Sequence, residues 1–254
     1  MLLAIDIGNT NIVLGCFDDD KILFRERIAT NQQQTDLEYA TKIRMALDIY
    51  NIAPKKIENA IISSVVPTVT NTMKQAIRKY IGCESMVVKT GIKTGLSIMI
   101  DNPAQLGSDL VVDAVAGIAE YPVPLIIIDM GTATTLSYID AKKNYRGGII
   151  MTGMSVSADA LVSRTAQLPK IAFEAPKKII GTNTIHCMQS GMMYSTAYAL
   201  DGMIAHIEEE TGNACTVVAT GGLASTVIPL CKREIILDDD LLLKGLHYIY
   251  QRNR

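Results

Sequence analysis

No apolar run in this chain approaches the roughly 20 residues that a bilayer-spanning helix needs, so no membrane partner is expected. Charge of one sign is equally scarce: 24 Lys and Arg stand against 26 Asp and Glu, a formal net charge of −2. That balance gives no general attraction to nucleic acid or to an anionic surface, and neither is expected as a partner. The five cysteines (Cys16, Cys83, Cys187, Cys215 and Cys231) form no C-x-x-C pair. They read as buried free thiols in a reducing compartment. The three histidines, His186, His206 and His247, lack metal-ligand spacing. There is no G-x-x-x-x-G-K-[ST] and no G-x-G-x-x-G after a strand, which removes the P-loop and Rossmann readings. The first apolar run contains Asp6 and has no basic leader, so no secretory signal is expected and the location reads as cytoplasmic.

Against these absences stands one motif that occurs twice. Near the start the chain reads Leu3-Ala4-Ile5-Asp6-Ile7-Gly8-Asn9-Thr10; later it reads Ile126-Ile127-Ile128-Asp129-Met130-Gly131-Thr132-Ala133. Asp6 aligns with Asp129 and Gly8 with Gly131, 123 positions apart in a chain of 254. Each copy is an apolar strand, an acid, a glycine turn and a hydroxyl or amide residue. The bland alternative is a pair of ordinary hairpins whose Asp and Gly serve the turn. Recurrence of the motif between two strands each time favours a duplication with a nucleotide between the halves.

The rest of the pattern agrees. The first half reads as strands near 2–7, 12–17, 22–28 and 60–66, with helices over 35–50 (Leu37, Ala40, Ile43 and Leu47 inward), 69–81 and 108–120. Pro122 and Pro124 mark a boundary. The second half offers strands near 125–129, 134–139, 145–150 and 216–219, and helices around 155–164, 187–211 and 240–252. Strands first, then helices, in each half predict two α/β lobes, residues 1–121 and 122–254. With 48% hydrophobic residues, each can bury a core.

The chemistry that fits is phosphoryl transfer, which needs positioning and charge neutralisation more than covalent help. A glycine turn lets backbone N–H groups approach phosphate oxygens, and Asn9, Thr10 and Asn11 add side-chain donors. Asp6 would repel a phosphate, so it acts through a cation such as Mg²⁺ held partly by water. Asp129 can do the same, with Thr132 as a hydroxyl donor. Gly221-Gly222, after Val217-Val218-Ala219, allows a flat ligand close to the backbone; a plain strand-to-helix turn is the alternative. Asp109, in the first turn of the 108–120 helix, is either a base for an attacking hydroxyl or an acid that stabilises the helix dipole.

These motifs occur in a recognisable order: Asp6-x-Gly8-Asn9-Thr10-Asn11, Asn102-Pro103 with Gly107-Ser108-Asp109, Asp129-x-Gly131-Thr132-Ala133, Gly181-Thr182-Asn183-Thr184 and Ala219-Thr220-Gly221-Gly222. Along essentially its whole length the chain resembles type III pantothenate kinase, of the acetate and sugar kinase, Hsc70 and actin superfamily. The resemblance implies a duplicated ribonuclease H-like (actin-like ATPase) fold, α/β in class, two lobes with a nucleotide cleft between them, and a homodimer. It implies phosphorylation of pantothenate by ATP to 4′-phosphopantothenate, the first step of coenzyme A synthesis. By position, Asp6, Ile7, Gly8, Asn9, Thr10, Asn11, Ile12 and Val13 would bind ATP phosphates, with Thr132 on the nucleotide beside Gly221 and Gly222. Asp109 would accept the proton. Asp129 would bind a monovalent cation, K⁺ or NH₄⁺, leaving Mg²⁺ to Asp6. Ile100, Gly107, Ser108, Asp109, Leu110 and Thr184 would face the acceptor, Thr184 across the dimer interface.

The sequence departs from that family's pattern on the acceptor side. Leu110 stands where the family has arginine, Ile100 where it has tyrosine, and Thr152 where proline is usual. A lost charged hydrogen bond costs on the order of 1.5–3 kcal/mol. Two alternatives therefore stay open: a kinase of the same mechanism on a less anionic hydroxyl acceptor, and a nucleotide-binding member without efficient turnover.

Overall fold

The computed structural model describes all residues from Met1 to Arg254. Its elements in chain order are β1 (Leu2–Ile7), β2 (Asn11–Asp18), β3 (Lys21–Ala29), α1 (Asp36–Ile49), β4 (Asn59–Ser64), α2 (Pro67–Tyr80), β5 (Ser85–Val87), β6 (Ser97–Ile98) and α3 (Ser108–Glu120). They continue with β7 (Leu125–Met130), β8 (Ala133–Ile139), β9 (Asn144–Thr152), α4 (Met154–Ser163), α5 (Thr184–Thr211), β10 (Thr216–Thr220), α6 (Ala224–Val227), β11 (Ile236–Leu237) and α7 (Leu241–Asn253).

One sheet runs β3-β2-β1-β4-β5 and the other β11-β10-β7-β8-β9-β6. Read outward from β1 or β7, the two follow the same plan. The central strand pairs antiparallel with its successor on one side and parallel with a later strand on the other. A second antiparallel neighbour follows in each. This repeated order is the duplication that the Asp-x-Gly motif announces. The strands that carry the motif are central in both sheets, which is why both read as continuous apolar runs.

The halves do not follow a single cut at 121/122. One compact unit comprises Met1–Leu96, Asp101–Ala119 and Asp240–Arg254; the other comprises Ser97–Ile100 and Glu120–Asp239. Two excursions separate this from the expected division. β6 pairs parallel with β9, which draws residues 97–100 into the second unit. The C-terminal α7 returns to the first sheet, because Leu243, Leu246 and Ile249 share a core with Leu2, Ala4, Phe17, Ile61, Val112 and Val115. Sequence periodicity shows that a helix is amphipathic but not which sheet receives it.

Alternation along β1 sorts its side chains to two faces. Leu3, Ile5 and Ile7 pack with α1 and α2 through Tyr39, Ile43, Leu47, Met73 and Ile77. Leu2 and Ala4 face the core made with α3 and α7. Asp6 shares that parity. In the second unit Ile126, Ile128 and Met130 pack with Met193, Ala197, Leu200 and Ile204 of α5, so Asp129 takes the opposite face with Leu125 and Ile127.

α1 begins at a reciprocal cap: the Glu38 amide donates to Thr35 Oγ1, and the Thr35 amide donates to Glu38 Oε2 at 2.7 Å. Leu37, expected inward, is 62% exposed; Tyr39 is fully buried in its place. The Tyr39 hydroxyl donates to the Asn31 carbonyl at 2.9 Å, an option that an apolar pattern does not signal. The expectation of five buried thiols also needs correction. Cys16 and Cys215 are buried, Cys83 and Cys231 are half-buried, and Cys187 is exposed. Burial pushes the Cys16 thiol up to about 11.

α7 meets α3 at Gly245, where a Cβ would run into the Val112 carbonyl oxygen and stand 2.8 Å from its carbonyl carbon. In an open helix Gly→Ala is favourable by about 1 kcal/mol. Here the clash is with backbone, and overpacking of that kind costs about 1–3 kcal/mol. Gly245→Ala is therefore expected to lower the thermal midpoint by several degrees. Calorimetry on the purified protein measures it; a raised midpoint would show that α7 does not pack against α3.

Candidate functional site

In the first unit the chain leaves β1 at Asp6, turns through Gly8, Asn9 and Thr10, and returns as β2. The Gly8 amide donates to the Asn11 carbonyl at 3.0 Å. A Cβ on Gly8 would sit 3.0 Å from that same oxygen, so the tight turn favours glycine. Thr30, just past β3, braces the loop: its hydroxyl donates to the Gly8 carbonyl at 2.7 Å and its amide to the Thr10 carbonyl at 2.9 Å. Asn9 and Thr10 are exposed at the tip. Ile7 and Ile12 are fully buried in the core, so only their main chain is available to a ligand.

Asp6 is 7% exposed. Its register partners are Val13 on β2 and Ser63 on β4, and cross-strand partners share a face. Ser63 Oγ donates to Ser108 Oγ at 3.0 Å. Ser108 opens α3 and precedes Asp109, so the helix carrying Asp109 is joined to β4, the parallel neighbour of the strand carrying Asp6. The Asp109 carboxylate is half-buried and accepts the Leu110 amide at 2.9 Å. Gly107 leaves the space for it: a Cβ there would strike Asp109 Oδ1. The expected residues 6–13 and 107–110 thus assemble within one unit.

In the second unit the Asp129 turn is one residue tighter than its counterpart. Gly131 donates to the carbonyl of Ala133, two residues on, at 3.0 Å, whereas Gly8 reaches three residues on. Backbone closes around this turn from two sides. The Gly153 amide donates to the Thr132 carbonyl at 3.1 Å. Gly221, at φ +99°, lies so close that a Cβ would be 2.6 Å from the Met130 amide and 2.7 Å from Asp129 Oδ1. Asp129, Thr132 and Gly221 are therefore neighbours, and Gly222 follows on the exposed side.

Asp129 has two further oxygen-bearing register partners, Thr135 on β8 and Thr220 on β10. Thr220 is buried, and Thr135 Oγ1 is buried without a hydrogen-bond partner. Neither threonine has a role assigned from the sequence, Thr220 entering only within the Ala219-Thr220-Gly221-Gly222 motif. Strand register alone brings them to the face of Asp129, just as it brings Ser63 to Asp6. No group of three or more His, Cys, Asp and Glu side chains is arranged to hold a metal.

Two expected acceptor residues lie elsewhere in the second unit. Ile100 follows β6, after Met99 donates its amide to the Tyr145 carbonyl at 2.8 Å. Thr184 is exposed at the first position of α5. The preceding Asn183 caps that helix, its Oδ1 accepting the His186 amide at 2.9 Å. Within this unit neither residue makes a hydrogen bond to the Asp129 turn. α5 also begins three residues before the apolar pattern predicts, because Asn183 supplies a polar cap that periodicity does not register.

Comparison with known proteins adds to this geometry. Residues 2–206 match the family model for type III pantothenate kinase. Proteins of that name from Exiguobacterium sp. AT1b and Halalkalibacterium halodurans are 44% and 41% identical, each over 100% of both chains. Among solved structures, the activator of 2-hydroxyisocaproyl-CoA dehydratase from Clostridium difficile with bound ADPNP is similar in fold. Its TM-score is 0.54 at 13% identity, over 99% of this chain and 94% of that one.

Proposed function

The chain belongs to the type III pantothenate kinase family, and from that premise we propose how its residues divide the work. The reaction itself is phosphorylation of pantothenate by ATP at the entry to coenzyme A biosynthesis. In our reading the turn Asp6–Val13 cradles the ATP phosphates, through the main chain at Ile7, Gly8 and Ile12 and through side chains at Asn9, Thr10 and Asn11. Thr132, with Gly221 and Gly222, meets the nucleotide. Asp109 takes the proton of the attacking hydroxyl. Gly107, Ser108, Leu110, Ile100 and Thr184 belong to the acceptor side. The observation that carries this reading is the joining of the Asp109 helix to β4, which pairs with the Asp6 strand, within one unit.

The donor sets fit the two cations. Mg²⁺ takes one or two carboxylates and fills its octahedron with water and phosphate oxygens, so Asp6 alone suffices for it. There it would neutralise charge on the transferring phosphoryl group. K⁺ takes oxygen ligands without strict geometry, and the orphaned Thr135 Oγ1 beside Asp129 is the kind of oxygen that a cation satisfies. We assign the monovalent ion, K⁺ or NH₄⁺, to Asp129 on that ground.

A cytoplasmic location suits free thiols, and no helix is long and apolar enough to cross a membrane. A homodimer is our reading of the second unit's surface. Ile150, Ile179, Ile180, Ile185 and Tyr198 are all exposed there, Ile180 at 79%, apolar surface that a second copy could cover. Sedimentation equilibrium at micromolar concentration is expected to give twice the 27.6 kDa chain mass; a monomer overturns the assignment.

The role of Asp109 is tested with purified protein, ATP, Mg²⁺ and K⁺, following ADP and phosphopantothenate. The wild-type chain is expected to make both only when pantothenate is present. Asp109→Asn is expected to lower kcat by about 10²–10⁴-fold with ATP binding nearly unchanged. Full activity in that variant would leave Asp109 a helix-terminal acid and nothing more.

Leu110 gives the second test. Leu110→Arg restores the guanidinium that the family pattern places there. A charged hydrogen bond on the order of 1.5–3 kcal/mol is expected to lower KM for pantothenate about tenfold or more. An unchanged KM means that another group already holds the substrate carboxylate.

A further inference from the structure

The hydroxyls of buried Ser63 and half-buried Ser108 in the first unit meet at one atom. Ser108 Oγ donates to the Ser64 carbonyl at 3.1 Å. It accepts the Ser64 amide at 3.2 Å and the Ser63 hydroxyl at 3.0 Å. A serine hydroxyl has one proton and two lone pairs, so all three valences are spent inside the protein.

The reason lies in how β4 ends. Its pairing with β5 stops at Ile62–Val87, closed by the Val88 amide on the Ile62 carbonyl at 2.8 Å. Two residues further on, Ser64 presents its N–H and C=O to the same side, with no strand left to receive them. Ser108 Oγ takes both and acts as the missing strand partner. Ser63, completely buried, reaches the same oxygen from the face it shares with Asp6. On the other side of Ser64 a second pair of bonds stiffens the strand end: Ser64 Oγ accepts the Thr70 hydroxyl at 2.7 Å and the Val66 amide at 3.0 Å.

We propose that Ser63 and Ser108 are positioning residues for phosphoryl transfer, forming a hydroxyl strut that fixes the Asp109 end of α3 to β4, the parallel neighbour of the strand carrying Asp6. The inference rests on the reading of Asp109 as the base. It gives Ser108 a task distinct from touching the acceptor, since no donor or lone pair of its hydroxyl remains for a ligand. Ser63 acts wholly through Ser108, and its effect vanishes when Ser108 has no hydroxyl. The consequence is geometric: the distance from the Asp109 carboxylate to the phosphate turn is set by three hydrogen bonds converging on one atom. A displacement of about 1 Å at a reacting group costs on the order of a hundredfold in rate.

The test compares Ser108→Thr with Ser108→Val, two variants of the same shape that differ by the hydroxyl. Threonine is expected to keep kcat within about threefold of the parent. Valine is expected to lose about ten- to a hundredfold in kcat, with KM for ATP unchanged and the thermal midpoint close to that of the threonine variant. Ser63→Ala is expected to lose several-fold in the parent and nothing further when added to Ser108→Val. Equal kcat for the valine and threonine variants overturns the strut, as does a Ser63→Ala effect that persists in full beside Ser108→Val. If the valine variant does not fold, Ser63→Ala alone decides, through a fall in kcat without a change in KM for ATP. Asp109→Asn is run in parallel: if it retains turnover, the base assignment and the strut both fall, whereas an inactive Asp109→Asn beside an active Ser108→Val removes the strut only.

Discussion

Pairing of β1 and β7 on both edges is the constraint from which the rest of this structure follows. A central strand has every backbone group engaged and both faces covered, so a carboxylate can be carried only where the strand runs out. Asp6 and Asp129 sit at those ends. The parallel partner on one side and the antiparallel partner on the other then decide what stands beside each acid. For Asp6 these are Ser63 and Val13; for Asp129 they are Thr220 and Thr135.

The two copies have diverged through turn length and glycine placement. The first turn closes over three residues and leaves Asn9 and Thr10 exposed at its tip, a shape open to phosphate oxygens. The second closes over two; Gly153 packs against the Gly131 and Thr132 carbonyls, and Gly221 lies beside Asp129. An open turn with amide and hydroxyl donors suits a polyanion. A half-buried carboxylate with an orphaned threonine oxygen beside it suits a cation. The division of labour proposed above, ATP phosphates at one loop and a monovalent ion at the other, rests on two loops that differ by one residue.

Much of this was legible in advance because it depends on local pattern. The Asp-x-Gly repeat, the apolar strands around it and the 108–120 helix follow from periodicity and turn chemistry, and the structure reproduces them within a residue or two. Leu37 failed because its periodicity also admits a frame in which Tyr39 is inward, and the tyrosine's bond to the Asn31 carbonyl favours that frame. β6 and α7 failed as members of their expected halves because their partners lie across long stretches of chain. Thr30, Ser63, Thr135 and Gly153 were silent for a related reason: each matters only through what register or a close backbone approach places next to it.

The amino-acid sequence by itself determined the duplication, the α/β class, the family and the identity of the acids, since each rests on residue types at short spacing. Tertiary structure alone decided which oxygens flank each acid, which sheet receives the C-terminal helix, and that Ser108 spends its hydroxyl on the end of β4. Those outcomes depend on hydrogen bonds between residues 44 or 45 positions apart and on strand register, where a shift of one residue would turn every side chain to the opposite face.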